Sequence, residues 1–317
     1  MIDLSNKRCL VTGGGGFLGS YVVEKLKERG CQEIIVPRSA SCDLIELTNV
    51  RKLYADHAPQ IVIHLAASVG GIGANIKAPG EYFFKNMLMG LYLVDEARQH
   101  NTEKFVTIST ACAYPENTPV PFCEDYMWEG FPASATAPYG IAKRTLWMMQ
   151  KAYADQYDFR SIYLLPANLY GPRDNFDLEA SHVVPALIRK IYEAKVNERQ
   201  EVVVWGTGNA TREFLYVEDC AEGIVLATER YDDIEPINLG SCRETSIKEI
   251  VELTAQSLEF KGRVVCDTSK PDGAPRRHLD TRRAEAHFGF KAVTSLEEGL
   301  RRTIRWYLEY LKARDWR

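Results

Sequence analysis

The chain has 317 residues, 45% hydrophobic and 26% charged, with a net charge of -4 at pH 7. That length suits two domains, or one large α/β unit with an addition, and the apolar share can fill a sizeable core. The charge balance argues against nucleic acid as a partner and leaves room only for a local phosphate pocket. No stretch of about 18 apolar residues runs unbroken, so no membrane span is expected. Met1-Ile2-Asp3-Leu4 leads straight into a strand pattern, so no signal peptide is expected either. None of the eight cysteines forms a C-x-x-C pair, which gives zinc no support; free thiols in a reducing cytoplasm are expected.

Strand-like and helix-like segments alternate through the first half. Residues 9–12 read as a strand, 18–29 as a helix ending at Gly30, and 33–36 as a strand. Then come a helix at 48–56, a strand at 61–65, a long helix at 81–99 and a strand at 105–109. A helix at 140–156 and a strand at 161–165 follow. Apolar strands separated by helices imply a Rossmann-type, doubly wound parallel sheet covered on both faces. After Pro166 the pattern loosens. Short strands at 202–205 and 264–266 mix with helices near 182–194, 217–229, 246–257 and 295–312. We read residues 1–165, with parts of 213–242, as the cofactor domain. Residues 166–317 form mainly a second, smaller α/β lobe.

Val11 to Gly19 fits G-x-x-G-x-x-G, with Gly13, Gly16 and Gly19 in the fixed places and Phe17-Leu18 opening a helix. One glycine makes the tight turn, one lets backbone approach a pyrophosphate, and one lets helix and strand pack closely. The helix N-terminus then offers N–H groups to phosphate. A glycine cluster alone is a weak signal; here it follows the first strand and opens the first helix, which is the context dinucleotide binding requires. An NAD site would place an acid at the end of the second strand. Here the strand ends Val36-Pro37-Arg38-Ser39, with no acid before Asp43. Arg38 therefore points to the 2′-phosphate of NADP(H), with Asp43 and Leu44 flanking the adenine.

Tyr139-Gly140-Ile141-Ala142-Lys143 matches Y-x-x-x-K, which puts both side chains on one helical face. A lysine there is expected to favour the phenolate, and the tyrosine can exchange a proton with a sugar oxygen. The motif is common by chance: Tyr21 to Lys25 also fits, inside the first helix, and is read as structural. Thr110 lies at the mouth of a strand, where its hydroxyl could bond the same oxygen as Tyr139 or simply cap a local turn.

Together these residues resemble the extended short-chain dehydrogenase/reductase superfamily, in particular its sugar-nucleotide epimerases and reductases. Several segments are similar to the GDP-L-fucose synthases. They are Val69 to Asn75, Ala111 to Pro115, Pro166 to Pro172, Asp174 to Phe176, Ser181 to Leu187, Val204 to Gly206, Arg212 to Leu215 and Ser269 to Arg276. The resemblance spans nearly the whole chain. It implies NADPH-dependent epimerisation and 4-keto reduction of a GDP-4-keto-6-deoxy-hexose. It implies Cys112 and His182 as the acid/base pair acting at carbon, beside Thr110, Tyr139 and Lys143. The expected cofactor contacts extend to Leu65, Ala66, Ala67, Asn86, Lys143, Pro166, Asn168, Leu169 and His182. The expected substrate contacts are Asn168, Val183, Lys190, Trp205 near the base, and Arg212 and Arg277 near the phosphates.

The chain departs from that pattern at Gly15, where a basic residue is usual, at Thr110 in place of serine, and at Lys190 in place of an arginine. The alternatives are an epimerase without net reduction, on a GDP-heptose or another hexose, and a catalytically silent dinucleotide-binding protein. By fold analogy, helices 81–99 and 140–156 are expected to pair in a homodimer.

Overall fold

The computed structural model describes residues 1–178, 180–269 and 273–315. Lys270, Pro271 and Asp272, part of one family-like segment, lie outside them. The strands run β1 (Arg8–Thr12), β2 (Glu33–Ile35), β3 (Ile61–His64), β4 (Lys104–Ile108) and β5 (Ser161–Pro166). The chain then enters the second lobe as β6 (Asn168–Tyr170), β7 (Glu201–Trp205) and β8 (Thr211–Tyr216), and returns as β9 (Ile237–Leu239). The rest are β10 (Glu244–Ser246), β11 (Arg263–Asp267) and β12 (Arg276–Arg277).

The first sheet has the order β2-β1-β3-β4-β5-β9 and is parallel throughout. β3, β4 and β5 are buried at every residue, as strands covered on both faces must be. The helices are α1 (Phe17–Glu28), α2 (Leu47–His57), α3 (Ile72–Lys77), α4 (Pro79–Gln99), α5 (Ala137–Tyr157), α6 (Val183–Val196), α7 (Val217–Arg230), α8 (Ile247–Ser257), α9 (Arg282–Phe288) and α10 (Leu296–Asp315). One face of the sheet is covered by Tyr21, Val22 and Leu26 of α1 with Cys220, Ile224 and Val225 of α7. The other is covered by Val50, Leu53 and Tyr54 of α2 with Leu93, Val94 and Ala97 of α4.

In the second lobe, β8 pairs with β10, β12 and β6, while β7 and β11 form a parallel pair. Leu187, Ile188 and Ile191 of α6, Ile250 and Val251 of α8, and Leu300 and Ile304 of α10 fill its core. The strand order reverses beside β1, so a crevice opens at the carboxyl ends of β1 and β3, the usual ligand position in open α/β sheets.

Candidate active site

The glycine loop forms a phosphate cradle. Gly13 sits at φ +72°, and a side chain there would come within 2.8 Å of the Ala66 nitrogen. A Cβ on Gly19 would collide with the Gly13 carbonyl, so this position must stay bare for α1 to start where it does. Gly16 caps α1 with no side-chain bond, leaving the amides at Phe17 and Leu18 for an anion. Arg38 folds across the loop, and any side chain at Gly15 would collide with its guanidinium. The arginine thus occupies the room a basic residue at 15 would need. An uncapped helix start, a bare loop and a guanidinium over it, with no acid at the end of β2, fit a dinucleotide carrying a 2′-phosphate.

The other residues expected at the cofactor differ in their surroundings. Leu65, Ala66 and Ala67 follow β3 and are partly open. Leu44 is 7% exposed and packs with Val50 and Leu53, so its side chain serves the core. Asn86 is buried; its amide donates to the carbonyls of Ser68 and Tyr82 and accepts from the Ser68 N–H at 3.0 Å. It anchors the loop after β3. Pro166 ends β5, while Asn168 and Leu169 open β6. Beneath the crevice, Thr12 Oγ1 lies 2.8 Å from His64 Nδ1, and burial holds that imidazole neutral with its pKa well below the usual 6.5.

Thr110 caps a short 3-10 turn over Ala111–Ala113, accepting the Cys112 N–H at 3.1 Å. The local-cap reading of Thr110 is the one observed. With its oxygen engaged as an acceptor, the hydroxyl hydrogen is left to donate. A Cβ on Gly140 would collide with the Cys112 carbonyl, so the bare position lets α5 press against this turn. That contact brings Tyr139 and Cys112 together, close enough to interact electrostatically.

Lys143 is 1% exposed and donates to the Ile108 carbonyl at 3.0 Å; burial lowers its pKa to about 8. Its own carbonyl accepts the Tyr163 hydroxyl at 2.9 Å. Here the sequence expectation needs correcting. Tyr139 is not pushed toward phenolate: burial, with Cys112 and Tyr163 nearby, raises its pKa above the usual value. Spacing fixes a shared helix face, but desolvation sets the proton. A phenol that keeps its proton is an acid, the role needed when a ketone oxygen gains charge.

Arg277 reaches the same place from β12, its Nη1 3.9 Å from Cys112 Sγ. It was expected at the phosphates. Thr110, Cys112, Pro166, Asn168, Glu213 and Arg277 share one cavity wall. His182 is not on that wall. It precedes α6 in solvent, although surrounding protein lowers its pKa, and the Ser181 backbone beside it lies against Gly71.

Trp205 is 65% exposed, which excludes plain core packing, and Lys190 Nζ stands 5.8 Å from its ring centre. Val183 packs partly into the second core. Arg212 donates to the Thr211 and Ala274 carbonyls, both at 2.7 Å. Tyr21, in the rejected Y-x-x-x-K copy, donates to the Pro172 carbonyl at 3.0 Å, a structural role. Sequence reasoning missed Glu213 and His278; the available signal was an acid directly before the apolar Phe214-Leu215-Tyr216 that ends β8.

A parallel sheet with a glycine-rich turn at its switch point and a tyrosine–lysine helix beside it defines a dinucleotide-dependent enzyme of the Rossmann type. The chain belongs to the NAD dependent epimerase/dehydratase family, whose model matches residues 9–240. It is 38% identical over 309 residues to a putative GDP-L-fucose synthase 2 of Arabidopsis thaliana, covering 98% of this chain and 94% of that one. Among solved structures, a GDP-L-fucose synthetase from Naegleria fowleri bound to NADP aligns with a TM-score of 0.90 at 28% identity, covering 98% of each chain. A GDP-6-OMe-4-keto-L-xylo-heptose reductase from C. jejuni aligns with a TM-score of 0.91 at 26% identity, covering 96% of this chain and 99% of that one.

Proposed function

We propose that the protein is an NADP-dependent epimerase/reductase that epimerises a GDP-4-keto-6-deoxy-hexose and reduces its C4 ketone. The observation that carries this reading is the meeting of thiol, guanidinium, hydroxyl and phenol at Cys112, Arg277, Thr110 and Tyr139. The names of the similar proteins agree with it. NADPH, when bound along the glycine loop, supplies the hydride.

In this reading Cys112 takes the acidic proton beside the ketone and His182 returns one from the other side. The Thr110 hydroxyl and the Tyr139 phenol bond the ketone oxygen and stabilise the enediolate. Tyr139 then gives its proton to the C4 oxygen as the alcohol forms, and buried Lys143 keeps a positive charge beneath the site. Trp205 and Lys190 meet the base end, and Arg212 and Arg277 the diphosphate and its neighbourhood. Residues 1–165, with parts of 213–242, hold the cofactor; residues 166–317 mainly hold the sugar nucleotide.

The reading extends to a cytoplasmic homodimer. All eight cysteines are free, which suits a reducing compartment. Among the described residues no helix is long and apolar enough to cross a membrane. α4 and α5 pack side by side and leave Phe84 56% and Met148 47% exposed, an apolar face suited to a second copy.

Incubation with GDP-4-keto-6-deoxy-mannose and NADPH tests the activity. NADPH oxidation with a 6-deoxy-galactose product supports it. Isomerised ketosugar without oxidation favours the non-reducing epimerase. NADPH binding with no turnover, there or on a GDP-heptose, favours a silent binder.

A further inference from the structure

Glu213 takes no part in the reaction scheme, yet its carboxylate is 1% exposed and lies at the seam of the two lobes. Oε1 accepts the N–H groups of Ser241 at 2.6 Å and Cys242 at 2.8 Å. Oε2 accepts the Leu279 N–H at 2.8 Å and lies 3.4 Å from His278 Nδ1. A Cβ on Gly240 would run into Oε1, so the turn after β9 is shaped around this carboxylate. A buried carboxylate is costly unless donors surround it. Three main-chain donors and an imidazole, from two separate segments, meet that need. The imidazole answers in turn: the Glu213 carboxylate beside it raises the His278 pKa above its usual value.

The segments joined are informative. The turn at Ser241–Cys242 follows β9 in the first sheet. The strap from Arg277 to Asp280 leaves the second-lobe sheet and docks on the first lobe. There Phe122 donates to the His278 carbonyl at 2.7 Å and accepts the Asp280 N–H at 2.9 Å. Leu279 is buried in the first-lobe core. Arg277 stands two residues before Leu279 and carries its guanidinium to Cys112 Sγ. Glu213 itself lies on the cavity wall beside both.

We propose that Glu213, paired with His278, is a positioning residue: it ties the Arg277–Leu279 strap to the turn after β9 and so fixes the Arg277 guanidinium against the Cys112 sulfur. The value of that placement to the reaction rests on the reading of Cys112 given above, but the placement itself can be read without substrate. A guanidinium beside sulfur stabilises negative charge there and speeds attack by the sulfur.

The test uses the full chain as wild type, E213Q, H278Q, R277Q and the E213Q/R277Q pair. The rate of Cys112 alkylation by iodoacetamide is followed by peptide mass spectrometry, with exposed Cys266 as the internal reference and NADPH affinity as the fold control. Expected are an alkylation rate at Cys112 about fivefold or more lower in E213Q and in R277Q, and no further fall in the pair. Cys266 and NADPH affinity stay at wild-type values. A wild-type rate at Cys112 in E213Q overturns the proposal. A general loosening would instead speed labelling at both cysteines. H278Q, which keeps the three main-chain bonds, then decides: slower labelling at Cys112 alone supports the positioning role, and a wild-type rate overturns it. Failure of the sugar assignment would leave these rates untouched, so the two ideas fail separately.

Discussion

The Arg277 guanidinium, carried on the second lobe, ends 3.9 Å from the sulfur of Cys112, carried on the first. The thiol therefore has a cation beside it and lies near enough to the Tyr139 phenol to influence it, and in the proposed reaction thiol and phenol divide the chemistry. Replacing Cys112 by alanine removes proton transfer at carbon. Exchange of the C3 and C5 hydrogens with deuterated water, followed by NMR, is expected to slow by about 10²- to 10⁴-fold. Slow direct reduction of the unepimerised ketone persists. Tyr139→Phe should lose reduction and keep exchange at a lowered rate, because Thr110 alone is left to bond the enediolate oxygen. Wild-type exchange in Cys112→Ala would remove the thiol from the mechanism.

Arg38 and Gly15 make a second pair. The guanidinium lies where a residue-15 side chain would project, and in the proposed NADP site it is the group that meets the 2′-phosphate. A charge-assisted bond of about 1.5–3 kcal/mol corresponds to a roughly 10- to 150-fold weaker NADPH affinity in Arg38→Ala, with NADH affinity little changed. Gly15→Ala needs no unusual backbone angle but pushes the guanidinium aside, so it should reproduce part of the loss. Fluorescence titration with both cofactors reads the outcome. Equal losses for NADH and NADPH would show that Arg38 does not meet the 2′-phosphate.

Trp205 was expected near the base and Lys190 among the substrate contacts, and the indole is exposed with the Lys190 ammonium 5.8 Å from its ring centre. Stacking of a base on an aromatic ring contributes about 1–3 kcal/mol. Trp205→Ala should therefore weaken GDP binding roughly 5- to 150-fold by calorimetry. NADPH affinity should not move, because Trp205 lies at the end of β7, outside the first sheet. Undiminished GDP affinity would place the base elsewhere.

The first lobe was legible because its signals are local. The helix expected at 18–29 is Phe17–Glu28, the strand at 61–65 is Ile61–His64, and the helix at 48–56 is Leu47–His57. Each is a run of apolar residues, or a periodic one, bounded by turn residues. β6, β9, β10 and β12 escaped because they have two or three residues and exist only through distant pairing. The same blindness hid the contact between Arg277 and Cys112. The register of Arg277 opposite Arg212 on β8, and the strap that follows, send it to Cys112, and nothing local encodes that. The spacing of Tyr139 and Lys143 gave their shared face, but not the burial that keeps the phenol protonated.

Glu124 offers a pH test of the scaffold behind Cys112. It is 3% exposed, accepts the Asn238 N–H at 2.9 Å and has Arg283 Nε at 3.7 Å. Asn238 in turn accepts the hydroxyl of Tyr114, which closes the turn bearing Cys112. Burial, opposed in part by the Asn238 bond and Arg283, raises the Glu124 pKa from 4.5 to about 6. A carboxyl whose pKa is raised on folding binds its proton more tightly in the folded state. Its contribution is complete below about pH 4.5 and is lost as pH rises through 6. A shift of that size is worth about 2 kcal/mol. Glu124→Gln mimics the protonated form at every pH. Urea unfolding at intervals from pH 4.5 to 7.5 should show wild type losing about 2 kcal/mol relative to the variant across that window. Carboxylates with lowered pKa, such as Glu244 at about 2, are common to both proteins and cancel in the difference. A gap that stays constant with pH would mean that Glu124 is ionised throughout and that Arg283 outweighs its burial.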